Sequence, residues 1–341
     1  MTSPSGGPLR IGVLGAARIA RLFIEAARPS SKVVITAVAS RDRDRGRAFA
    51  QDLGIGRVHD NYDALLADTD IDAVYVPLPN NLHAHWSIRA AEAGKHVLCE
   101  KPLAASAAEA RAMFAAATRH GVYLVEGYPY RAQPQTIAMR KLLAERAIGE
   151  VRLIQAAFGF PLSDAANIRM DPALAGGALM DAGSYPVSFV RTVAGGAPLR
   201  VHAASHAGDT GVDVTTMAVL EFSDGLCAQI SCTFATARHR HAFIAGDEGS
   251  ITTTYYNDTG GAMFPPLLEL RRGTGWDAER EVVESRATPG FLAEAEAFHD
   301  LVRSGWPAWP GATPEESIDI ARTLDAIAAS SRQGMPVALA P

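Results

Sequence analysis

Short apolar runs alternate with amphipathic stretches along the first part of the chain, a pattern typical of βαβ units on a parallel sheet. The runs predict strands at residues 11–14, 33–39, 73–76, 97–99 and 122–125. Helix signals stand between them, because Ser106 and Glu109 form a capping box and Gly94 and Gly121 occupy C-cap positions. The pattern predicts a doubly wound α/β domain.

The periodicity changes in the second part of the chain. Residues 212–222 and 226–236 alternate apolar and polar positions, and Asp224-Gly225 between them is a strong hairpin signal. One face of the second strand is apolar, and the other carries small, neutral side chains that are solvated or pack on a partner subunit. The apolar face comprises Leu226, Ala228, Ile230, Cys232 and Phe234, and the other Cys227, Gln229, Ser231 and Thr233. With helical stretches near residues 292–303 and 315–332, this half is expected to be an α+β domain with a mainly antiparallel open sheet.

The length of 341 residues suits two domains, predicted at residues 1–131 and 132–341. A hydrophobic fraction of 48% and a charged fraction of 20% indicate a folded globular protein. The net charge of −5, with acidic and basic residues interspersed, argues against a nucleic-acid partner. No stretch of about 18 apolar residues and no basic-apolar leader is present, so we expect a cytoplasmic protein without a membrane span. Three cysteines without ligand spacing predict neither a disulfide framework nor a metal site.

Residues 15–20, with the sequence GAARIA, follow a predicted strand and open a helix. They fill the place of the dinucleotide-binding fingerprint G-x-G-x-x-G, with Ala at its second and third glycines. Small residues there let backbone amides approach a pyrophosphate. The alternative interpretation is a tight strand-to-helix turn without a ligand.

The end of the second predicted strand distinguishes between the two nicotinamide dinucleotides. An NAD-preferring domain usually carries Asp or Glu there, whereas this chain has Ser40-Arg41, followed by Arg43, Arg45 and Arg47. A hydroxyl and guanidinium groups suit a 2′-phosphate, so NADP is favoured over NAD. The alternative is that some of these arginines form the solvated face of the next helix.

Three segments occur in an order that resembles a known family. They are DAVYVPLPNNLH at residues 72–83, AGKHVLCEKPL at 93–103 and GGALMDAGSYP at 176–186. Together they resemble the family of glucose-fructose oxidoreductase and inositol dehydrogenase, the Gfo/Idh/MocA family, over nearly the whole chain. The resemblance implies a nicotinamide-dependent oxidoreductase.

By this resemblance, Lys101 is the catalytic lysine and Glu100 helps to hold it. Many members carry His four residues after the aspartate of the third segment, whereas this chain has Tyr185 after Asp181, as in the branch of dihydrodiol dehydrogenase and bacterial xylose dehydrogenases. The implied acid/base is Tyr185. A free phenol has a pKa near 10, so an adjacent Lys101 cation is expected to stabilise its tyrosinate form. Asp181 is expected to orient a hydroxyl. The alternatives are that Lys101 is a surface lysine after a strand, and that Asp181 and Tyr185 mark an ordinary helix start.

The resemblance and the strand ends together give a set of candidate contacts. The cofactor residues are expected to be Gly15, Ala17, Arg18, Ile19, Ser40, Arg41, Arg45, Pro77, Leu78, Asn80, His83, Glu100, Lys101 and Arg131. The substrate residues are expected to be Lys101, Asn167, Arg169, Asp181 and Tyr185. His83 is alternatively a solvated helix cap.

The expected function is hydride transfer between NADP(H) and a secondary alcohol or ketone carbon of a sugar or related cyclic polyol. Within that reaction, a free aldose such as xylose or glucose ranks first, and a trans-dihydrodiol or a keto group on a nucleotide-linked deoxysugar remains open. An NAD-dependent glycosidase and a cofactor-sensing regulatory protein are the alternatives of other classes. A homodimer or homotetramer is expected.

Overall fold

The structure is a computed structural model that describes residues 7–258 and 266–339. The beginning of the N-terminal lead, residues 1–6, lies outside these ranges. The described residues form two compact units, each of which draws on separate parts of the chain. The first contains the described residues up to Ala104, Ala108–Ala132 and Thr288–Pro314; the second contains Ala105–Ala107, the described residues of Gln133–Ala287, and those from Glu315 onward.

Helices and strands alternate regularly up to the sixth strand. In the described ranges the helices are α1 (Arg18–Ala27), α2 (Arg43–Leu53), α3 (Tyr62–Leu66), α4 (Asn80–Glu92), α5 (Ala107–His120), α6 (Pro134–Ala144), α7 (Ser184–Ala194), α8 (Gly290–Ser304) and α9 (Pro314–Gln333). The strands are β1 (Leu9–Leu14), β2 (Val33–Ala39), β3 (Arg57–His59), β4 (Ala73–Val76), β5 (His96–Glu100), β6 (Leu124–Gly127), β7 (Val151–Gly159), β8 (Arg200–Ala207), β9 (Asp213–Glu221), β10 (Cys227–Thr233), β11 (His239–Gly246), β12 (Gly249–Thr254), β13 (Leu268–Arg272), β14 (Glu279–Val282) and β15 (Val337–Ala338).

The described strands of the first unit form a parallel sheet in the order β3-β2-β1-β4-β5-β6. The strand order reverses between β1 and β4, and ligands bind at such a switch point beyond the carboxyl ends of the strands. The predicted doubly wound sheet is confirmed. Parallel strands are buried on both faces, which is why these strands appear in the sequence as continuous apolar runs. The short edge strand β3 was not predicted, because it is polar and partly exposed.

The hydrophobic core of the first unit includes a helix from late in the sequence. Phe23 of α1 stacks on Tyr75 of β4 with ring centroids 4.1 Å apart, and it meets Phe291 of α8 edge to face at 6.2 Å. Phe298 of α8 is completely buried in the same core. The segment Thr288–Pro314 therefore lies in the first unit, whereas the sequence predicted a second domain running without interruption from residue 132 to residue 341.

The second unit is built on a large sheet, whose described strands run in the order β14-β13-β12-β11-β7-β10-β9-β8-β15. Its pairs are antiparallel except for β7 with β10. The predicted mainly antiparallel open sheet is confirmed. The predicted hairpin is β9 and β10, in which Cys227 pairs with Glu221 across the Asp224-Gly225 turn. Ala228 and Ile230 of β10 are buried, and Gln229 faces outward.

The helices of the second unit are joined by a buried ion pair. Arg191 of α7 donates from Nε to Asp319 of α9 at 2.8 Å. Both side chains are only about a tenth exposed. A buried charge is costly without partners, and this pair has two more, since Glu316 lies 3.8 Å from Arg191 and Arg322 lies 3.3 Å from Asp319.

Among the described residues, none of the helices combines the length and the apolarity needed to cross a membrane. In the same ranges, His, Cys, Asp and Glu side chains do not gather in threes as a metal site requires. The cysteines are free thiols, with Cys99 and Cys232 buried and Cys227 exposed.

Candidate active site

The turn after β1 brings the backbone close to the loop after β4. Gly15 has φ = +114°, a conformation that favours glycine. Its N–H donates to the carbonyl of Ala39 at 2.8 Å. A Cβ at this position would lie 3.1 Å from Cδ2 of Leu78. The positive φ and this close approach together favour glycine at the first position of the turn.

Helix α1 begins directly after this turn. Ala17 is its N-cap and supplies no side-chain hydrogen bond to the first turn. Arg18 is exposed, and Ile19 is half-buried against the core of the first unit. Because the N-terminus of a helix carries N–H groups and partial positive charge, this arrangement fits a pyrophosphate.

Two arginines from the segment after β2 lie near one tyrosine hydroxyl. Burial raises the pKa of Tyr62, and the hydrogen bond and charge of Arg41 and the charge of Arg45 oppose that rise. Arg45 also donates from its guanidinium to the carbonyl of Ala16 at 2.9 Å, which ties α2 to the glycine turn. Ser40, the residue before Arg41, is buried, and its Oγ accepts a hydrogen bond from the N–H of Asp42 at 3.3 Å. The structure therefore brings together the residues predicted to recognise a 2′-phosphate, and Tyr62 is an addition that sequence reasoning missed.

The remaining arginines of this segment face solvent. Arg43 pairs with Asp60 at 2.7 Å, and both side chains are 58% exposed. Arg47 is also exposed. Arg41 and Arg45 are exposed as well, so Arg45 differs from Arg43 and Arg47 in its hydrogen bond to the Ala16 carbonyl and not in burial.

The loop after β4 is held by a buried histidine. Pro77 and Leu78 are buried, and Asn80 is the first residue of α4. His83 is completely buried, with Nδ1 2.8 Å from the carbonyl oxygen of Pro102 and Nε2 2.8 Å from that of Leu78. Burial lowers the pKa of His83, against the effect of the two carbonyls. His83 is therefore not a solvated cap, and it joins the loops after β4 and β5.

The candidate lysine follows β5 in a loop that is anchored on both sides. Lys101 is half-buried and comes directly after Glu100, whose Oε1 accepts a hydrogen bond from Tyr75 Oη at 2.6 Å. The N–H of Leu103 donates to Oε1 of Glu126 at 2.9 Å. These bonds fix the backbone on either side of Lys101 at the carboxyl end of the parallel sheet.

Arg131 is the last of the predicted cofactor residues in the first unit. It lies in a 3₁₀ helix, Pro129–Ala132, directly after β6. Its side chain is completely buried. A buried guanidinium requires acceptors around it, so the side chain is fixed within the interior.

A turn of π-helix, Leu179–Gly183, leads directly into α7. Single π turns often occur at functional sites. The turn is anchored by Asp213, whose Oδ2 accepts from the N–H of Leu179 at 2.7 Å and from Oγ1 of Thr216 at 2.9 Å. Burial raises the pKa of Asp213, and these hydrogen bonds oppose the rise. Gly177 precedes the turn with φ = +113°, and a Cβ there would lie 2.2 Å from Asp213 Oδ1.

Two predicted substrate residues form an ion pair. Arg169 Nε lies 2.7 Å from Oδ2 of Asp181, and the Asp181 side chain is 12% exposed. Asn167 instead uses its Oδ1 to accept the N–H of Arg169 at 3.1 Å, as the cap of a short 3₁₀ helix. The structure thus joins Asp181 and Arg169, while the side chain of Asn167 supports the local backbone.

Tyr185 is buried on α7 and is engaged by two residues that sequence reasoning missed. Asn257 Nδ2 donates to its hydroxyl oxygen at 2.7 Å. The guanidinium carbon of Arg240 lies 3.8 Å from the centroid of its ring. One signal was available, because alternation along β11 puts Arg240 on the same buried face as Ala242 and Ile244, where a charged residue is unusual.

Both parts of the chain match known families. Residues 9–128 match the oxidoreductase family with an NAD-binding Rossmann fold, and residues 136–252 match the GFO/IDH/MocA C-terminal domain.

Individual proteins are similar over almost the whole length. D-xylose 1-dehydrogenase (NADP(+)) 2 from Haloferax volcanii is 38% identical over 333 residues, which are 97% of this chain and 100% of that protein. Trans-1,2-dihydrobenzene-1,2-diol dehydrogenase from Xenopus laevis is 36% identical over 321 residues, 92% of this chain and 95% of that protein. A 3-ketoreductase from Actinomadura kijaniata, solved with NADP and TDP-benzene, superimposes with a TM-score of 0.85 at 34% identity, covering 95% of this chain and 98% of that one.

Proposed function

Because the chain belongs to the Gfo/Idh/MocA family of oxidoreductases, we propose that it transfers hydride between NADP(H) and a secondary alcohol or ketone carbon of a sugar or related cyclic polyol. A free aldose, with D-xylose first, is the proposed substrate. The observation that carries this proposal is the 38% identity, over 97% of the chain, to an NADP-dependent D-xylose dehydrogenase.

The first unit offers a set of residues that fits NADP. The Gly15 turn and the N-terminus of α1 suit the pyrophosphate, since Gly15 has no side chain and Ala17 carries only a methyl group. Arg41 and Arg45, near the Tyr62 hydroxyl, suit the 2′-phosphate. When bound, the nicotinamide accepts the hydride in oxidation and supplies it in reduction.

Each side chain proposed for the chemistry has a distinct role. Tyr185 takes the proton of the substrate hydroxyl in oxidation and returns it in reduction, while the hydride leaves or enters at the carbon that bears this oxygen. The positive charge of Lys101 stabilises the substrate oxygen as the hydroxyl proton is lost. Asp181 is held by Arg169 at 2.7 Å, so its role is to accept a hydrogen bond from the substrate and orient it.

A nucleotide-linked keto sugar is the second candidate substrate. It is favoured by the 34% identity and TM-score of 0.85 to a 3-ketoreductase solved with TDP-benzene. In that case the physiological direction is reduction. The same residues serve both directions, because proton and hydride transfers are reversible.

The outer face of the large sheet is proposed to pair two copies of the chain. Met217 of β9 is 61% exposed and Val219 is 40% exposed. They line a groove with His202 and Gln229 on the same face. Exposed apolar side chains on a mixed, uncharged surface are typical of an interface core. Sedimentation equilibrium tests this proposal: a Met217→Glu substitution is expected to shift a homodimer or homotetramer toward smaller species, and a monomeric wild type contradicts it. The cytoplasmic location stays a prediction.

Fluorescence titration with NADPH and with NADH tests the cofactor proposal. Arg41→Ala is expected to weaken NADPH binding by about 10- to 100-fold, the range of a lost hydrogen bond between charged groups, and to leave NADH nearly unchanged. Arg43→Ala is the matched control, because Arg43 pairs with Asp60 on the surface. Equal losses for both cofactors contradict the assignment of Arg41.

A substrate screen follows with NADP⁺ and D-xylose, D-glucose or other free aldoses, recorded at the absorbance band of reduced nicotinamide. Turnover of a free aldose is the expected result. Mass spectrometry of the purified protein provides an independent check. Tightly retained NAD without aldose oxidation contradicts the proposal and favours a glycosidase that oxidises its sugar transiently.

A further inference from the structure

Arg240 places a buried positive charge against three aromatic rings. Its guanidinium carbon lies 3.8 Å from the ring centroid of Tyr185 and 4.8 Å from those of Phe158 and Tyr255. The residue is only 4% exposed, and arginine stays protonated in proteins. A desolvated cation over a ring face is attracted to the ring, and the attraction is greatest when the ring itself carries negative charge.

Arg240 also determines which way the Asn257 amide points. Arg240 donates from Nη2 to Oδ1 of Asn257 at 3.2 Å. Because arginine has no acceptor, the amide oxygen must face it, and the amide nitrogen then donates to the Tyr185 oxygen at 2.7 Å. The backbone of Asn257 is fixed as well, since Nε2 of Gln133 donates to its carbonyl at 2.7 Å. A hydrogen bond donated to a phenol oxygen favours its ionised form.

We propose that Arg240 and Asn257 are positioning residues that stabilise the tyrosinate form of Tyr185 and so prepare it to accept a proton near neutral pH. The proposal rests on the proposed function of Tyr185 as the acid/base. The sequence predicted Lys101 for this role, and Arg240 and Asn257, which lie in the same unit as Tyr185, are added to it.

Asp181, Tyr255 and His241 are further charged or titratable side chains of the second unit that bear on Tyr185. Asp181, four residues earlier, opposes a tyrosinate, but it is paired with Arg169 at 2.7 Å. The Tyr255 hydroxyl donates to the carbonyl of Ala157 at 2.9 Å, so its hydrogen is engaged elsewhere. His241, next to Arg240 on β11, lines the groove on the opposite face of the sheet.

Ultraviolet difference titration measures the ionisation of Tyr185 without any substrate. Each protein is compared with its counterpart that also carries Tyr185→Phe, so the difference in tyrosinate absorbance reports Tyr185 alone. In Arg240→Gln the midpoint is expected to rise by about one pH unit, a tenfold change in the ionisation constant. Arg240→Lys keeps the charge and is expected to restore much of the shift.

A second substitution separates the hydrogen bond from the charge. In Asn257→Asp the carboxylate still accepts from Arg240, which supports folding, but it has no hydrogen to donate to Tyr185. Its midpoint is also expected to rise. Arg238→Gln is the matched control, because Arg238 is an exposed arginine whose guanidinium lies 5.6 Å from the ring of Phe160. Its midpoint is expected to stay at the wild-type value.

The pH profile of D-xylose oxidation gives the second readout. The acid limb of kcat is expected to move upward with the titration midpoint in Arg240→Gln and Asn257→Asp. Unchanged midpoints in both variants overturn the inference, as does an equal shift in Arg238→Gln. If Tyr185→Phe keeps full turnover, the proposed function of Tyr185 fails instead, and the titration still decides whether Arg240 and Asn257 stabilise its ionised form.

Discussion

Replacing Gly177 by alanine is expected to displace the carboxylate that anchors the π turn before α7. Gly177 has φ = +113°, and a Cβ there would lie 2.2 Å from Oδ1 of Asp213. Asp213 cannot stay in place beside this methyl group. Moving it weakens its hydrogen bonds with the N–H of Leu179 at 2.7 Å and with Oγ1 of Thr216 at 2.9 Å.

The expected loss in the free energy of unfolding of Gly177→Ala has two parts. The backbone strain of an L-residue at positive φ costs about 1–2 kcal/mol, and the reduced freedom of the unfolded chain offsets about 0.4–1 kcal/mol of it. Weakening two bonds to a buried carboxylate adds roughly 2–4 kcal/mol. The free energy of unfolding of Gly177→Ala is therefore expected to fall by about 2–6 kcal/mol.

Gly195→Ala separates the strain from the displacement. Gly195 also has positive φ, at +73°, but no atom lies within 4 Å of the position its Cβ would take. Urea denaturation of the three proteins at neutral pH is expected to show a loss of about 1 kcal/mol for this control. Turnover of D-xylose is expected to fall roughly 10- to 100-fold in Gly177→Ala alone, because Asp181 moves with the π turn. Equal stability losses in the two variants refute the proposed anchoring by Asp213.

Two further predictions concern buried ionisable side chains. Glu294 of α8 is completely buried, and neither of its carboxyl oxygens has a hydrogen-bond partner in the described residues; burial and the negative charge of Glu100 raise its pKa well above the usual value. The contribution of Glu294 to the free energy of unfolding is then fully present below its pKa in the unfolded chain and is lost as pH rises toward its pKa in the folded protein. Urea denaturation between about pH 5 and pH 8 is expected to show a decline in the stability of the wild type that Glu294→Gln removes. Parallel stability curves for the two proteins contradict this. Arg191→Met is expected to lower the free energy of unfolding by about 3 kcal/mol, because Asp319 loses its partner at 2.8 Å. Arg322→Met is expected to cost less, because Arg322 lies 3.3 Å from Asp319 and is more exposed. Equal losses of stability in urea denaturation contradict this ranking.

The parts of the fold that follow local patterns were predictable. Residues 33–39 and 73–76 were predicted as strands with the bounds that β2 and β4 have, because each is a continuous run of mostly apolar residues, which in β4 is buried on both faces. The Asp224-Gly225 hairpin was equally clear from the turn residues. The place of α8 was not, because its pattern shows an apolar face without showing which core that face joins.

In the candidate site too, local motifs pointed to some residues and only the structure shows others. Lys101 and Tyr185 came from motifs whose order along the chain resembles a family, and their roles stay proposals. Arg240 and Asn257 reach Tyr185 from positions 55 and 72 residues further along the chain. Alternation along β11 indicates that Arg240 faces the core, but it does not show that Tyr185 lies opposite, because that contact joins segments far apart in the chain. The sequence offered His83 as a cofactor contact or a solvated helix cap, and its burial between two carbonyls follows from the packing of loops that the sequence does not show.

The proposed function requires that Tyr185 exchanges a proton in an NADP-dependent oxidation of a sugar. Steady-state kinetics of Tyr185→Phe with NADP⁺ and D-xylose, together with NADPH fluorescence titration of the same preparation, tests this requirement. Turnover is expected to fall by at least about 100-fold, the contribution of a general acid/base, with the NADPH dissociation constant nearly unchanged. Turnover equal to that of the wild type contradicts the claim.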